Sequence, residues 1–218
     1  MPSRPRDMRT TPRQERSLET RERLIEAGRT AFADLGHEGV NLARDILGPA
    51  EVSVGSFYHQ FNDKTELLVV ILLRAADLRR EAVIDGGLAR EDAGPLDERL
   101  ATAMTKFFDS LDDETHAWRL LLNVRQSADE RIRAVDLNGR EEWLRQLSAV
   151  LADATGADAD HCRAAATMLV SFAMGLALVY FDLTPRQRKL RRKDFLANAI
   201  TVVTAAVPAV LRRQGGPP

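Results

Sequence analysis

Between Val52 and Phe61 the chain runs through ten residues without a formal charge, Val52-Ser53-Val54-Gly55-Ser56-Phe57-Tyr58-His59-Gln60-Phe61. A helix capped by Ser53 would put Phe57 and Phe61 on one side and Val54, Gly55, Tyr58 and His59 on the other, because residues three and four apart share a face. That second face combines a small apolar group, bare backbone and two hydrogen-bonding rings. Such a surface suits the reading of base edges in a DNA groove, and the lack of a carboxylate removes repulsion from phosphates. Val54 and Gly55 are candidates for contact with bases, and Ser53, Ser56, Tyr58 and His59 for donors to phosphates or bases. Asp63 and Glu66 then form a capping box for another helix, with Lys64 in its first turn. A cation there opposes the helix dipole unless a phosphate lies close by, which makes Lys64 a further candidate contact. The competing reading is a short core helix with a polar side.

Other chemistry is not nominated. The chain has no phosphate-cradling glycine loop, no Gly-x-Ser-x-Gly elbow, no His-Glu-x-x-His and only one cysteine, Cys162. His37, His59, His116 and His161 are scattered, and the acidic run Asp112-Asp113-Glu114 reads as a solvated corner with no second ligand cluster near it. No enzyme activity, metal or cofactor is expected.

The elements that must position the uncharged stretch are helical. From Thr20, the residues Leu24, Ile25, Gly28, Ala31, Phe32 and Leu35 recur at helical spacing, and Gly36 provides a left-handed stop. Asn41 caps a second, short helix to Leu47. Thr20 and Asn41, at the starts of these helices, complete the candidate DNA contacts. After the uncharged stretch, a long helix from Asp63 to about Ile84 carries the run from Leu67 to Leu73.

On these residues the segment from Thr20 to about Leu73 resembles the DNA-binding domain of the TetR family of bacterial transcriptional regulators. The matching parts are Thr20-Arg21-Glu22-Arg23-Leu24-Ile25-Glu26-Ala27, Phe32-Ala33-Asp34-Leu35-Gly36, and Val52-Ser53 through Tyr58-His59-Gln60-Phe61 with Lys64. The resemblance covers roughly a quarter of the chain. It implies an all-α fold: an N-terminal three-helix helix-turn-helix DNA-binding domain followed by a C-terminal helical bundle for ligand binding and dimerisation. It also implies a repressor that binds a palindromic operator in double-stranded DNA as a homodimer and is released by a small hydrophobic effector of unknown identity. Two departures stand out. Ala50-Glu51 stands where the family has alanine and glycine, and the spacing from Gly36 to Val52 is one residue longer than the common pattern. Pro49 is expected to end the second helix by Leu47 and lengthen the turn.

The rest of the chain fits a soluble helical protein: 44% of residues are hydrophobic, 29% are charged and the net charge is −1, so any DNA contact must be local. A single cysteine excludes an internal disulfide and fits the cytoplasm, and no secretory signal is expected. Residues 1–17, with Arg4, Arg6, Arg9, Arg13 and Arg16, read as a disordered basic arm able to reach the minor groove. Residues 18–66 make the DNA-binding domain, 67–213 the effector-binding and dimerisation domain, and 214–218 a disordered tail. Loops are expected at Asp85-Gly86-Gly87, at Ala93-Gly94-Pro95 and along the basic run Pro185–Lys193.

The uncharged stretch Ala164 to Phe181 approaches the length of a membrane span, and the alternative to a DNA-binding protein is a membrane-associated or interaction protein. A buried helix without membrane contact explains it better. Its all-round apolar girth, with the last helix, predicts a four-helix dimer interface using Ala166, Leu169, Ala173, Ala177, Ile200 and Thr204. The family resemblance further implies an effector pocket, for which Met104, Phe107, Phe108, Trp118, Met168 and Phe172 could form an apolar wall. Asn123 and Ser171, with His116 and Arg119 nearby, are the candidate orienting polar groups.

Overall fold

A computed structural model describes residues 12–89 and 94–212, and every regular element among them is helical. Of the basic arm, Arg4, Arg6 and Arg9 lie outside the described residues, as does the tail from residue 214, whereas Pro12 to Ser17, expected to be disordered, belong to the first helix. The chain divides into two compact units, Met1–Ile71 and Leu72–Pro218.

In the first unit, α1 (Pro12–Gly39) buries Leu24, Ile25, Ala31 and Phe32 and is broken at Gly36, where φ 69° and ψ 168° are open only to glycine. The helix starts eight residues before Thr20. Thr20 is therefore no N-cap: its hydroxyl donates to the Arg16 carbonyl at 2.8 Å, inside the helix. The second helix, α2, is longer than Pro49 suggested. It runs from Leu42–Leu47, wound with π-type hydrogen bonds, into Gly48–Ala50, and Pro49 is accommodated in the first turn of that last segment, where its missing N–H is tolerated. A π-turn takes one residue more than an α-turn, so the extra residue between Gly36 and Val52 widens the helix and does not lengthen the turn. Glu51 closes α2 in the left-handed region, φ 53° and ψ 44°, the one non-glycine with positive φ among the described residues. Helix α3 (Val54–Gln60) follows at once, and α4 (Lys64–Arg80) starts four residues after it ends, with its first turns packed in this unit. Gly28 of α1 admits the side chains of Leu67 and Ile71: a Cβ there would lie 2.9 Å from Ile71 Cδ1.

In the second unit, α4 winds on through Glu81–Leu88, again with π-type bonds, where a loop was expected at Asp85-Gly86-Gly87. Gly87 serves close approach and not a turn, since a Cβ there would sit 2.7 Å from Ala103 Cα. Helices α5 (Leu96–Asp113), α6 (Thr115–Asn123, with a further tight turn over Val124–Gln126), α7 (Glu130–Thr155), α8 (Ala159–Asp182) and α9 (Pro185–Arg212) complete the bundle. Helix α5 packs on the Glu81–Leu88 segment and on α9, and α8 packs on both α7 and α9. The core centres on Phe107, Phe108, Trp118, Leu151, Tyr180 and Val207.

The basic run Pro185–Lys193 is helical, contrary to the loop reading. Pro185 takes the first helical position, and Thr184 and Gln187 cap each other: the Gln187 amide donates to Thr184 Oγ1 at 3.3 Å and the Thr184 amide to Gln187 Oε1 at 2.9 Å. The acidic corner is likewise more than a solvated one. Asp112 accepts from the Tyr180 hydroxyl at 2.7 Å and from Arg192 Nε at 2.7 Å, tying α5 to α8 and α9.

Candidate DNA-reading face and effector cavity

Helix α3 is held from beneath and left bare above. Phe57 and Phe61 are buried as their spacing predicted, and Ser53 caps the helix by accepting from the Ser56 amide at 3.1 Å. Three residues that sequence reasoning passed over fix the far end. The Arg21 guanidinium lies 4.4 Å from the centroid of the Phe61 ring and donates to the Gln60 carbonyl at 3.1 Å. The Gln60 side-chain amide donates to the Ser17 hydroxyl at 2.7 Å. Arg21, Gln60 and Ser17 therefore clamp α3 to α1, and only the matching polar partners on two distant segments signalled it.

The outer face carries Val54, Gly55, Ser56, Tyr58 and His59, all exposed, with Val54 at 56% and Tyr58 at 57%. Gly55 is informative because a Cβ there would meet nothing within 4 Å. Glycine disfavours a helix by up to about 1 kcal/mol relative to alanine, and nothing among the described residues requires it here. Asn41 is where the sequence put it, accepting from the Arg44 amide at 3.0 Å while Asp45 accepts from the Asn41 amide at 2.8 Å.

Lys64 departs from expectation. Its ammonium donates to the carbonyls of His37 at 2.8 Å and Val40 at 3.2 Å, just past the Gly36 break in α1. Carbonyl oxygens supply the negative partner that a phosphate was invoked for, and Lys64 is a tie between α4 and the segment that follows the break. Asp63 does cap α4, accepting from the Glu66 amide at 2.8 Å.

The second unit holds a cavity of about 100 Å³ among the side chains of α4 to α9. Met104, Phe107 and Trp118 line it as expected, and the other proposed wall residues do not. Phe108 is fully buried in the core against Tyr180, Met168 packs half-buried on the same core, and Asn123 and Ser171 are exposed. Phe172 lines a groove between α8 and α9 on another surface. What the sequence did not nominate is a charged stripe. On α4 and its continuation Leu72, Ala76, Arg79 and Val83 share one face of the cavity, and on α7 Asp136, Arg140 and Trp143 share another. Arg79 lies 4.0 Å from the centroid of the Trp143 ring and 5.4 Å from that of Trp118.

The expected dimer residues also move. Ala166 and Ala177 are wholly buried within one chain, and Leu169, nearly buried, and Ala173, half-buried, line its cavity, so the first two have no surface left to bury against a second copy. Ile200 and Thr204 are half-buried, Ile200 against its own core. The free apolar surface lies elsewhere on the same two helices: Leu178, Val179 and Val202 are exposed, and Phe172, Leu176, Phe195 and Val202 line the groove between α8 and α9. Both helices are also long and apolar enough to cross a membrane.

No family model matches the chain. Over 129 residues it is 25% identical to the HTH-type transcriptional repressor AcnR of Corynebacterium efficiens, covering 59% of this chain and 58% of that protein. The chain therefore spans less than two thirds of the curated relative that it matches. Among solved structures, GusR of Salmonella enterica is 20% identical with a TM-score of 0.70, covering 93% of this chain and 100% of that one. A TetR-family transcriptional regulator from Streptomyces coelicolor is 24% identical with a TM-score of 0.65, covering 90% and 88%. The architecture is all-helical: a helix-turn-helix unit at the N-terminus and a larger helical unit after it. Specifically, the fold is that of solved TetR-family regulators, a likeness that covers about nine tenths of the chain.

Proposed function

We propose that this protein is a sequence-specific, DNA-binding transcriptional regulator of the cytoplasm, a repressor that occupies a palindromic operator as a homodimer and leaves it when a small, largely apolar effector binds. The observation that carries the reading is the outer face of α3, exposed and free of acids, with a glycine that nothing among the described residues requires. Val54 and Gly55 contact base edges there, and Ser56, Tyr58 and His59 donate to bases or phosphates. Ser53 and Asn41 present the N-termini of α3 and α2. Thr20, held inside α1, and Lys64, held by two carbonyls, leave the list of direct contacts.

The bare apolar surface of α8 and α9 is what a second copy would cover, and the two-fold axis would then set the recognition helices about 34–36 Å apart. The cavity supports the effector half of the reading, because α4 supplies part of its wall and the same helix begins directly after α3. An occupant acts only through different affinities for the DNA-bound and released forms. Gly55→Ala and Tyr58→Phe test the DNA half. Both should keep the far-ultraviolet helical signal, and Gly55→Ala should not lower stability. Tyr58→Phe should weaken operator binding by about tenfold or more, the value of one hydrogen bond to a charged phosphate. Unchanged operator affinity in both variants would remove this face of α3 from the interface.

A further inference from the structure

The charged groups lining the cavity are Arg79, Arg125, Arg140 and Asp136, three cations to one anion. Asp136 is already engaged, with Arg140 at 3.0 Å. Arg79 is different. Its Nε is shut off from solvent and makes no hydrogen bond, and the guanidinium rests between the faces of Trp143 and Trp118. Burial pulls it down to about 10, with Asp136 opposing at a distance, so it remains a cation at neutral pH. Arg79 is half-buried as a residue, but its Nε–H reaches neither solvent nor an acceptor, which costs stability until an acceptor reaches it, and a carboxylate matches the planar fork better than any single-point acceptor.

We infer that the cavity takes a compact monocarboxylic acid whose carboxylate pairs with Arg79 and whose apolar body, about one aromatic ring in size, packs among Phe107, Trp118 and Trp143. Size sets the limit on the body. An engineered cavity of about 150 Å³ in another protein holds benzene, so the space of about 100 Å³ here sets an upper limit of one small ring or a short chain on the apolar body and has no room for a long acyl tail. The excess of positive charge selects an acid over an amine of the same shape. This inference deepens the effector reading and rests on it for biological meaning. The site itself can be tested without DNA.

The test is calorimetric titration and thermal melting of the full-length protein with four probes: phenylacetate, benzoate, phenylacetamide and phenethylamine. Wild type should bind at least one of the acids about tenfold or more tightly than the neutral amide, and should bind the amine weakest. In Arg79→Met, which keeps an unbranched side chain and removes the guanidinium, acid and amide should become equal within about threefold. Arg79→Lys, which keeps the charge without the fork, should fall between. If Arg79→Met fails to fold, the wild-type order of probes still decides. The inference is overturned if amide or amine binds as well as the tighter of the two acids, if neither acid binds at about 10 mM, or if Arg79→Met keeps the preference for acid. An acid that binds through Arg79 but leaves operator affinity unchanged sustains the anion site and overturns only the effector reading.

Discussion

Glu51→Gly is a perturbation whose size can be worked from the backbone. Glu51 ends α2 at φ 53° and ψ 44°, exposed, two residues before the cap of α3. For an L-residue with a Cβ this conformation costs roughly 1–2 kcal/mol relative to the right-handed one. Glycine avoids that cost, but its greater freedom in the unfolded chain takes back about 0.5–1 kcal/mol. The net expectation is a gain of about 0.5–1 kcal/mol. Removing the carboxylate also changes the local field, so Glu51→Ala is the control: it loses the charge and keeps the strained φ. Urea unfolding, followed at several wavelengths because the chain has two units, should rank Glu51→Gly above both wild type and Glu51→Ala. In DNA binding the two variants should behave alike, since both remove an acid near the α3 N-terminus. If Glu51→Gly and Glu51→Ala are equally stable, the strain assigned to this turn is not there and the accommodation of the extra residue in α2 must be rethought.

Lys64→Met should destabilise the first unit by about 1–3 kcal/mol through the loss of two bonds from a charged donor, measured by urea unfolding. Its salt slope for DNA binding should stay that of wild type, whereas a loss of about 0.9 per half-site would restore Lys64 as a phosphate contact. Burial, and then the bond to Asp112, push the Tyr180 hydroxyl up to about 12, so the unfolded chain loses this proton first as pH rises above 10.0. Stability should therefore fall between about pH 10 and 12, and in Tyr180→Phe, less stable at neutral pH by about 1–2 kcal/mol, that part of the decline should be absent. Val202→Arg, on the free face of α9, should convert dimer to monomer in sedimentation, while Leu169→Arg should unfold the second unit by placing a charge in its cavity.

How far the sequence could be read depended on whether a feature was local. Ser53 as a cap, Phe57 and Phe61 as the buried side of α3, Asn41 as a cap and Gly36 as a break all follow from residues within one or two turns, and each stands in the structure. The helix through Pro185 also had a local sign, Thr184-Pro185-Arg186-Gln187, outweighed by the density of positive charge after it. Other features turn on distant partners. Lys64 finds carbonyls more than twenty residues away, and Asp112 is claimed by residues of α8 and α9. The extra residue before Val52 was visible, but spacing alone does not distinguish a longer turn from a widened helix. Small residues in α8 signalled close packing, and Ala166 and Ala177 find theirs within their own chain, because a helix apolar on every side does not reveal which side its own chain covers. For the cavity, apolar periodicity located three wall residues and was blind to Arg79, whose role depends on tryptophans from α6 and α7.

If α3 reads DNA sequence, the full-length protein should select from a pool of random duplexes an inverted repeat whose half-site centres lie about one helical turn, roughly 34–36 Å, or a multiple of it apart. Binding of all duplexes alike, or no enrichment after successive rounds at low salt, would contradict it.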